Sequence, residues 1–148
     1  RSCLDPSEEQ LRIDENKKGD FFNLHSCAWC FHFLARIPND VRPHRQHPVL
    51  VVIGNRTSYP RGTVLIPDVT NASDVSSVCK IVPGAMCERW KECCVAARQC
   101  CQRQVAGEPY VNGTCPRTWD GWSCFDDTEP GTVEYVTCPD FLQYAVLS

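Results

Sequence analysis

Two cysteine doublets, Cys93-Cys94 and Cys100-Cys101, constrain this chain more than any other feature, because the segment around them reads as a helix. Over 86–107, Trp90, Cys94, Ala97, Cys101 and Val105 recur at three- and four-residue steps. Glu88, Lys91, Glu92, Arg98, Gln99, Gln102 and Arg103 fill the opposite face, and Gly107 and Pro109 follow. Cys93 and Cys100, like Cys94 and Cys101, are seven residues apart. At 1.5 Å rise per residue that is about 10 Å, beyond the roughly 7 Å Cα limit for a disulfide. Neighbours within a doublet diverge by about 100° around the axis and rarely bond to each other. Each of the four therefore needs a partner outside the helix, drawn from Cys3, Cys27, Cys30, Cys79, Cys87, Cys115, Cys124 and Cys138. The helix is the expected hub to which both ends of the chain are stapled.

Twelve cysteines in 148 residues, with 43 % hydrophobic residues, place the chain in an oxidising compartment, since a chain of this size does not need bridges merely to fold. Three sequons, at Asn55, Asn71 and Asn112, are candidate glycosylation sites and agree with an extracellular location, on the cell surface or secreted. The chain opens at Arg1-Ser2 with neither Met nor an apolar leader, as a mature chain would. Its longest apolar run, 49–53, is far shorter than the roughly 20 residues a bilayer needs. A formal charge of -3 with dispersed Lys and Arg excludes a nucleic-acid partner.

Ahead of the hub, Asp5 and Pro6 predict a short exposed helix over 7–17 that ends near Gly19. The apolar stretch 25–37 reads as a buried helix or buried irregular segment, stopped by Pro38 and pinned by Cys27 and Cys30. β-Branched runs at 49–53 and 63–66 predict a two-stranded hairpin, and the polar 71–83 stretch reads as a linker. Beyond the helix, 115–138 lacks helical period. The alternation Thr132-Val133-Glu134-Tyr135-Val136-Thr137 after Pro130-Gly131 predicts short antiparallel strands.

The string Cys115-Pro116-Arg117-Thr118-Trp119-Asp120-Gly121-Trp122-Ser123-Cys124-Phe125-Asp126-Asp127-Thr128, followed by Pro130-Gly131-Thr132 and Thr137-Cys138-Pro139-Asp140-Phe141, closely resembles the hormone-receptor domain of class B, secretin-like G-protein-coupled receptors. The Arg-Thr-Trp-Asp-Gly-Trp string places the likeness in the calcitonin-receptor branch. The 89–103 segment looks like that domain's N-terminal helix. The resemblance covers roughly 87–141, whereas 1–84 resembles no family. It implies a small disulfide-rich α+β fold: one long helix packed on two short antiparallel β-sheets, here with a disulfide-tied N-terminal extension. The expected partition is 1–84 for that extension and 85–148 for the hormone-receptor-like domain.

The same resemblance implies roles for individual residues. Cys101, or Cys100, would bond Cys124; Asp120 would be a buried structural carboxylate hydrogen-bonded near Trp119; and Pro139 would close a strand. Trp122 would be the shelf for the C-terminal end of a peptide hormone, with Asp120, Gly121 and Phe125 beside it as candidate ligand-binding residues. An aromatic on a disulfide-bounded turn offers large contact area at low entropy cost. In the family, the residues matching Cys115 and Cys138 bond two later cysteines, but no cysteine follows Cys138 here. Either a last strand is missing, or upstream cysteines such as Cys27, Cys30, Cys79 or Cys87 take over those pairings, which the even count favours. Phe125 stands where the family usually has Trp, which keeps aromatic packing and loses an indole N–H.

Other constellations have plainer readings. Cys27-Ala28-Trp29-Cys30 has redox spacing and, with His25 and His32, metal-ligand types, yet its apolar flanks and the surrounding structural cysteines favour disulfides. His44 and His47 read as a solvated loop, and Asp126-Asp127 as a turn in preference to a calcium site. Asp120 has no second carboxylate, His or nucleophile spaced to help it, so neither catalytic residue nor metal nor cofactor is expected. The expectation is an extracellular peptide-hormone-binding ectodomain whose partner is a peptide hormone or neuropeptide lying between the helix and the 115–141 strands. An accessory membrane subunit is a second candidate partner, and membrane attachment would come only through a receptor bundle absent from this chain. A secreted decoy, or an adhesion-type module that covers Trp122, is the alternative.

Overall fold

The computed structural model describes residues 15–35, 40–107, 112–115 and 117–143. Most of the helix expected over 7–17 lies outside them. The first element, α1 (Glu15–Ala35), runs straight through Gly19, where a helix end was expected. A helical Gly costs about 1 kcal/mol, less than the gain from burying the apolar face that follows it. That face is Cys27, Cys30, Phe31 and Leu34, all buried at three- and four-residue steps.

β1 (Val41–Pro43), β2 (Leu50–Val52) and β3 (Val64–Leu65) form an antiparallel sheet in that order. Val41 pairs with Val52, and Leu50 with both Pro43 and Leu65. The expected hairpin is β2–β3; β1 is an addition. Val41, Leu50, Val52 and Leu65 are buried while Arg42 and Val64 are exposed, the alternation of a sheet with one wet face. His44 organises the β1–β2 connection, its Nδ1 accepting from the backbone N–H of Gln46 (3.0 Å) and His47 (3.1 Å).

The 71–83 stretch is not a linker. It holds α2 (Ala72–Cys79), capped by Asn71, whose side-chain oxygen accepts from Asp74 N–H at 3.1 Å. A Cys79–Cys87 bridge staples it to α3 (Gly84–Ala106), the hub helix. Along α3 the buried face is Cys87, Trp90, Cys93, Cys94, Ala97, Cys100, Cys101 and Gln104. The register at its end differs from expectation: Val105 is 45 % exposed and Gln104 only 8 %. Gln104 is the residue that turns inward because its amide finds two carbonyl acceptors there.

Cys27–Cys94 and Cys30–Cys93 bind α1 to α3, with Cα–Cα distances of 4.7 and 5.9 Å. Trp90 fills the space between the helices, its indole N–H donating to the Cys27 carbonyl oxygen at 3.0 Å and its ring meeting Phe31 edge-on. Together with the buried strand residues and Val78 they make one continuous core. Closing a loop of 67 residues removes about 4 kcal/mol of denatured-state entropy in the chain-entropy model.

β4 (Thr118–Trp119) and β5 (Cys124–Phe125) pair antiparallel, and Cys115 bridges to Thr128 beyond them. Cys100, not Cys101, bonds Cys124, and Cys101 is itself disulfide-bonded. The small disulfide-rich α+β fold with two short antiparallel sheets is therefore present. Two expectations are overturned. Cys27, Cys30, Cys79 and Cys87 are all spent on α3, so they do not take over the pairings of Cys115 and Cys138, which are free and exposed. The alternating 132–137 run forms no strand, since among the described residues no strand pairs with it, and Val133, Tyr135 and Val136 are exposed. Pro139 accordingly closes no strand; it precedes α4 (Asp140–Gln143).

Candidate functional site

Trp119 to Cys124 form a tight turn between β4 and β5. The Asp120 Oδ1 accepts from the backbone N–H of Trp122 (2.8 Å) and Ser123 (2.7 Å), and Gly121 adopts φ +103°, a conformation that favours glycine. Asp120 thus hydrogen-bonds within its own turn, and it is exposed, not the buried carboxylate the resemblance implied. Its acceptors serve the turn's own amides, which needs no burial. The turn is fixed to α3 by Cys100–Cys124, and Trp119 carries a buried indole N–H without a hydrogen-bond partner among the described residues.

Two further links hold this hairpin on the end of α3. Gln104 donates through its side-chain amide to the carbonyl oxygens of Thr118 and Phe125, each at 3.1 Å. Arg117 pairs with Asp127 through both its backbone N–H (2.7 Å) and its Nε (3.1 Å), and also donates to the Gln104 carbonyl oxygen at 2.8 Å. The hydrogen bond to Asp127 raises the Arg117 pKa above its ordinary value, so this clamp keeps its cation at any pH the protein meets. Asp127 is therefore a clamp residue, and Asp126 pairs with Arg103 at 3.3 Å.

An open groove of about 460 Å³ runs between α3 and the hairpin. Ala96, Gln99, Cys100 and Arg103 form its helix wall. Trp119, Trp122 and Cys124 form the opposite wall, and Val136, Pro139 and Phe141 its far rim. Trp122 is half-buried, its ring centroid 6.1 Å from buried Phe141 and 5.4 Å from Phe33 of α1. Of the candidate ligand residues, Trp122 lines the groove; Asp120 and Gly121 build its turn, and Phe125 lies on β5 with its carbonyl held by Gln104. Neither Phe33 nor Gln104 was singled out from the sequence. The signal for Gln104 is its position one turn beyond Cys100 on the same helix face.

Cys27 and Cys30 are each bonded to α3, and among the described residues no group of three or more His, Cys, Asp or Glu could hold a metal ion. Asn55, Asn71 and Asn112 are all exposed. Among the described residues no helix is long and apolar enough to cross a membrane.

Residues 112–146 match the Hormone receptor domain family. The chain is 43 % identical over 54 residues to the G-protein coupled receptor seb-2 of Caenorhabditis elegans, covering 35 % of this chain and 11 % of that protein. It is 38 % identical over 55 residues to the calcitonin gene-related peptide type 1 receptor of Oncorhynchus gorbuscha, covering 36 % and 12 %. To the human calcitonin receptor it is 59 % identical over 27 residues, covering 18 % and 6 %. The chain thus spans about a tenth or less of the length of these curated relatives. No solved structure matches it. The groove's hairpin wall and rim lie inside the matched segment, so the likeness to the Hormone receptor domain over 112–146 falls on the residues that build the site.

Proposed function

We propose that this chain is the extracellular ligand-capturing part of a class B receptor and that it binds a peptide hormone or neuropeptide, serving recognition and not catalysis. The supporting observation is the groove between α3 and the β4–β5 hairpin, whose mixed wall of Trp122, Trp119, Gln99 and Arg103 suits an amphipathic helix. The peptide lies along α3, and its C-terminal end packs against Trp122. In this reading 85–148 forms the hormone-receptor-like domain, and 1–84 is an extension tied to its helix. An accessory membrane subunit and a signalling bundle belong to the larger receptor.

The test is direct binding. Calcitonin, calcitonin gene-related peptide and a phage-displayed library of amphipathic helical peptides are presented to the immobilised chain, and each binder is then measured on Trp122→Ala. Loss of at least about tenfold in affinity is expected, as for an aromatic interface anchor. Absence of any saturable binder, or binders indifferent to Trp122→Ala, would overturn the reading.

A further inference from the structure

An aromatic ridge runs along α1 and ends against Trp122, a residue of the groove wall. Phe21, His25, Trp29 and Phe33 follow one another at four-residue steps, with ring centroids 5.4, 6.2 and 5.7 Å apart, and Phe33 then meets Trp122 at 5.4 Å. Two of these are wet: Phe33 is 42 % exposed and Trp29 36 %. Phe141, the other neighbour of Trp122, is only 6 % exposed. Trp122 therefore stands between Phe141, buried at the rim of the groove, and the exposed Phe33 of α1, which extends the aromatic surface beyond the groove's own lining.

The position of Phe33 is held from several directions. One turn earlier, Cys30 is bonded to Cys93 of α3. Beneath the ring lies Gly121, where a Cβ would come within 3.3 Å of Phe33 Cε2, so the glycine leaves the space that lets the ring approach the turn. One turn back along the strip, Trp29 is oriented by its indole N–H, which donates to His25 Nε2 at 3.1 Å. Two large aromatics held in place and left exposed, contiguous with a third that lines a groove, have the character of an interface anchor and not of a leftover surface.

We propose that Phe33, with Trp29 behind it, is a specificity-determining ligand contact, so that the shelf for the peptide is a two-element surface shared by α1 and the Trp122 turn. Its occupant is the peptide of the preceding section, through an apolar or aromatic side chain next to the one that packs on Trp122. This inference rests on that reading. It follows that the segment ahead of the hub helix helps choose the ligand.

The experiment uses the whole chain and the peptide that binds wild type most tightly in the library selection. Phe33→Ala is expected to weaken binding about tenfold or more, with Phe33→Tyr staying within about threefold, since ring area is retained. A benzophenone side chain installed at Phe33 is expected to cross-link to the peptide near its C-terminal end, which a purely structural role would not produce. Native disulfides and near-ultraviolet circular dichroism establish that each variant is folded; if Phe33→Ala fails to fold, Phe33→Leu and the cross-link decide. Binding that falls in Trp122→Ala but is unchanged in the Phe33 variants, with no cross-link, overturns this inference and leaves the groove reading standing. Indifference to both positions overturns the two together.

Discussion

The side-chain amide of Gln104, near the end of α3, donates to the carbonyl oxygen of Thr118 at 3.1 Å, and this contact carries the small second sheet. A sheet of two two-residue strands is not stable alone. It persists because Gln104 satisfies a carbonyl on each strand while Cys100–Cys124 fixes one of them. Gln104→Ala would leave two half-buried acceptors without this donor. The expected cost is about 1–3 kcal/mol, read as a lower melting temperature together with faster hydrogen exchange in β4 and β5. An unchanged exchange rate there would show that the disulfide and the Arg117 clamp hold the hairpin without the Gln104 amide.

Cys27–Cys94 and Cys30–Cys93 close nearly the same loop, with sequence separations of 67 and 63. Removing either pair leaves that loop closed by the other, so each double Cys→Ser variant is expected to lose little closure entropy. Removing both opens it and costs about 4 kcal/mol. Denaturant unfolding of the three variants should therefore be strongly non-additive. Equal and additive losses would locate the stabilisation in packing around the bridges.

Asn71 serves both as an exposed sequon residue and as the N-cap of α2. Asn71→Asp keeps an acceptor for the Asp74 amide but cannot carry an N-glycan; Asn71→Ala loses both. In protein produced without glycans, Asn71→Ala should be about 1 kcal/mol less stable and Asn71→Asp near wild type. Thermal unfolding of the pair distinguishes the cap from the sugar.

Native, unreduced protein treated with iodoacetamide should be alkylated at Cys115 and Cys138. The eight cysteines of the four described bridges should be protected. Peptide mass spectrometry reads both at once. Protection of Cys115 and Cys138 would show that they are paired in the protein as made.

Much of this was legible from residue pattern. The hub helix, the outward bonding of its cysteines and the β2–β3 hairpin follow from periodicity and helix geometry. The strand at Val41 was hidden because it is three residues long and ends on Pro43, with its partners elsewhere. The second helix was hidden because 72–79 is polar and Ser-rich and buries only Val78. At 132–137 alternation was a false signal, since pattern gives a strand's faces but not a neighbour to bond. Within the Cys100-Cys101 doublet, sequence could not decide which sulfur faces the hairpin, because that depends on the angle at which the hairpin meets the helix. The Phe33–Trp122 contact joins segments far apart in the chain, and no local property of either announces it.

The pairing of Cys27 and Cys30 with partners more than 60 residues later also bears on how the chain is made. During synthesis from the N-terminus, these two thiols emerge well before Cys93 and Cys94, and they sit at a spacing that readily bridges to itself. A cystine open to this pair before α3 emerges is then a non-native Cys27–Cys30 loop, which must be opened by a thiolate of α3 before both native bridges can form. Maturation of this protein would then be paced by disulfide exchange, on a scale of seconds to hours and sensitive to isomerase supply. Acid trapping of newly made chains should catch the Cys27–Cys30 form.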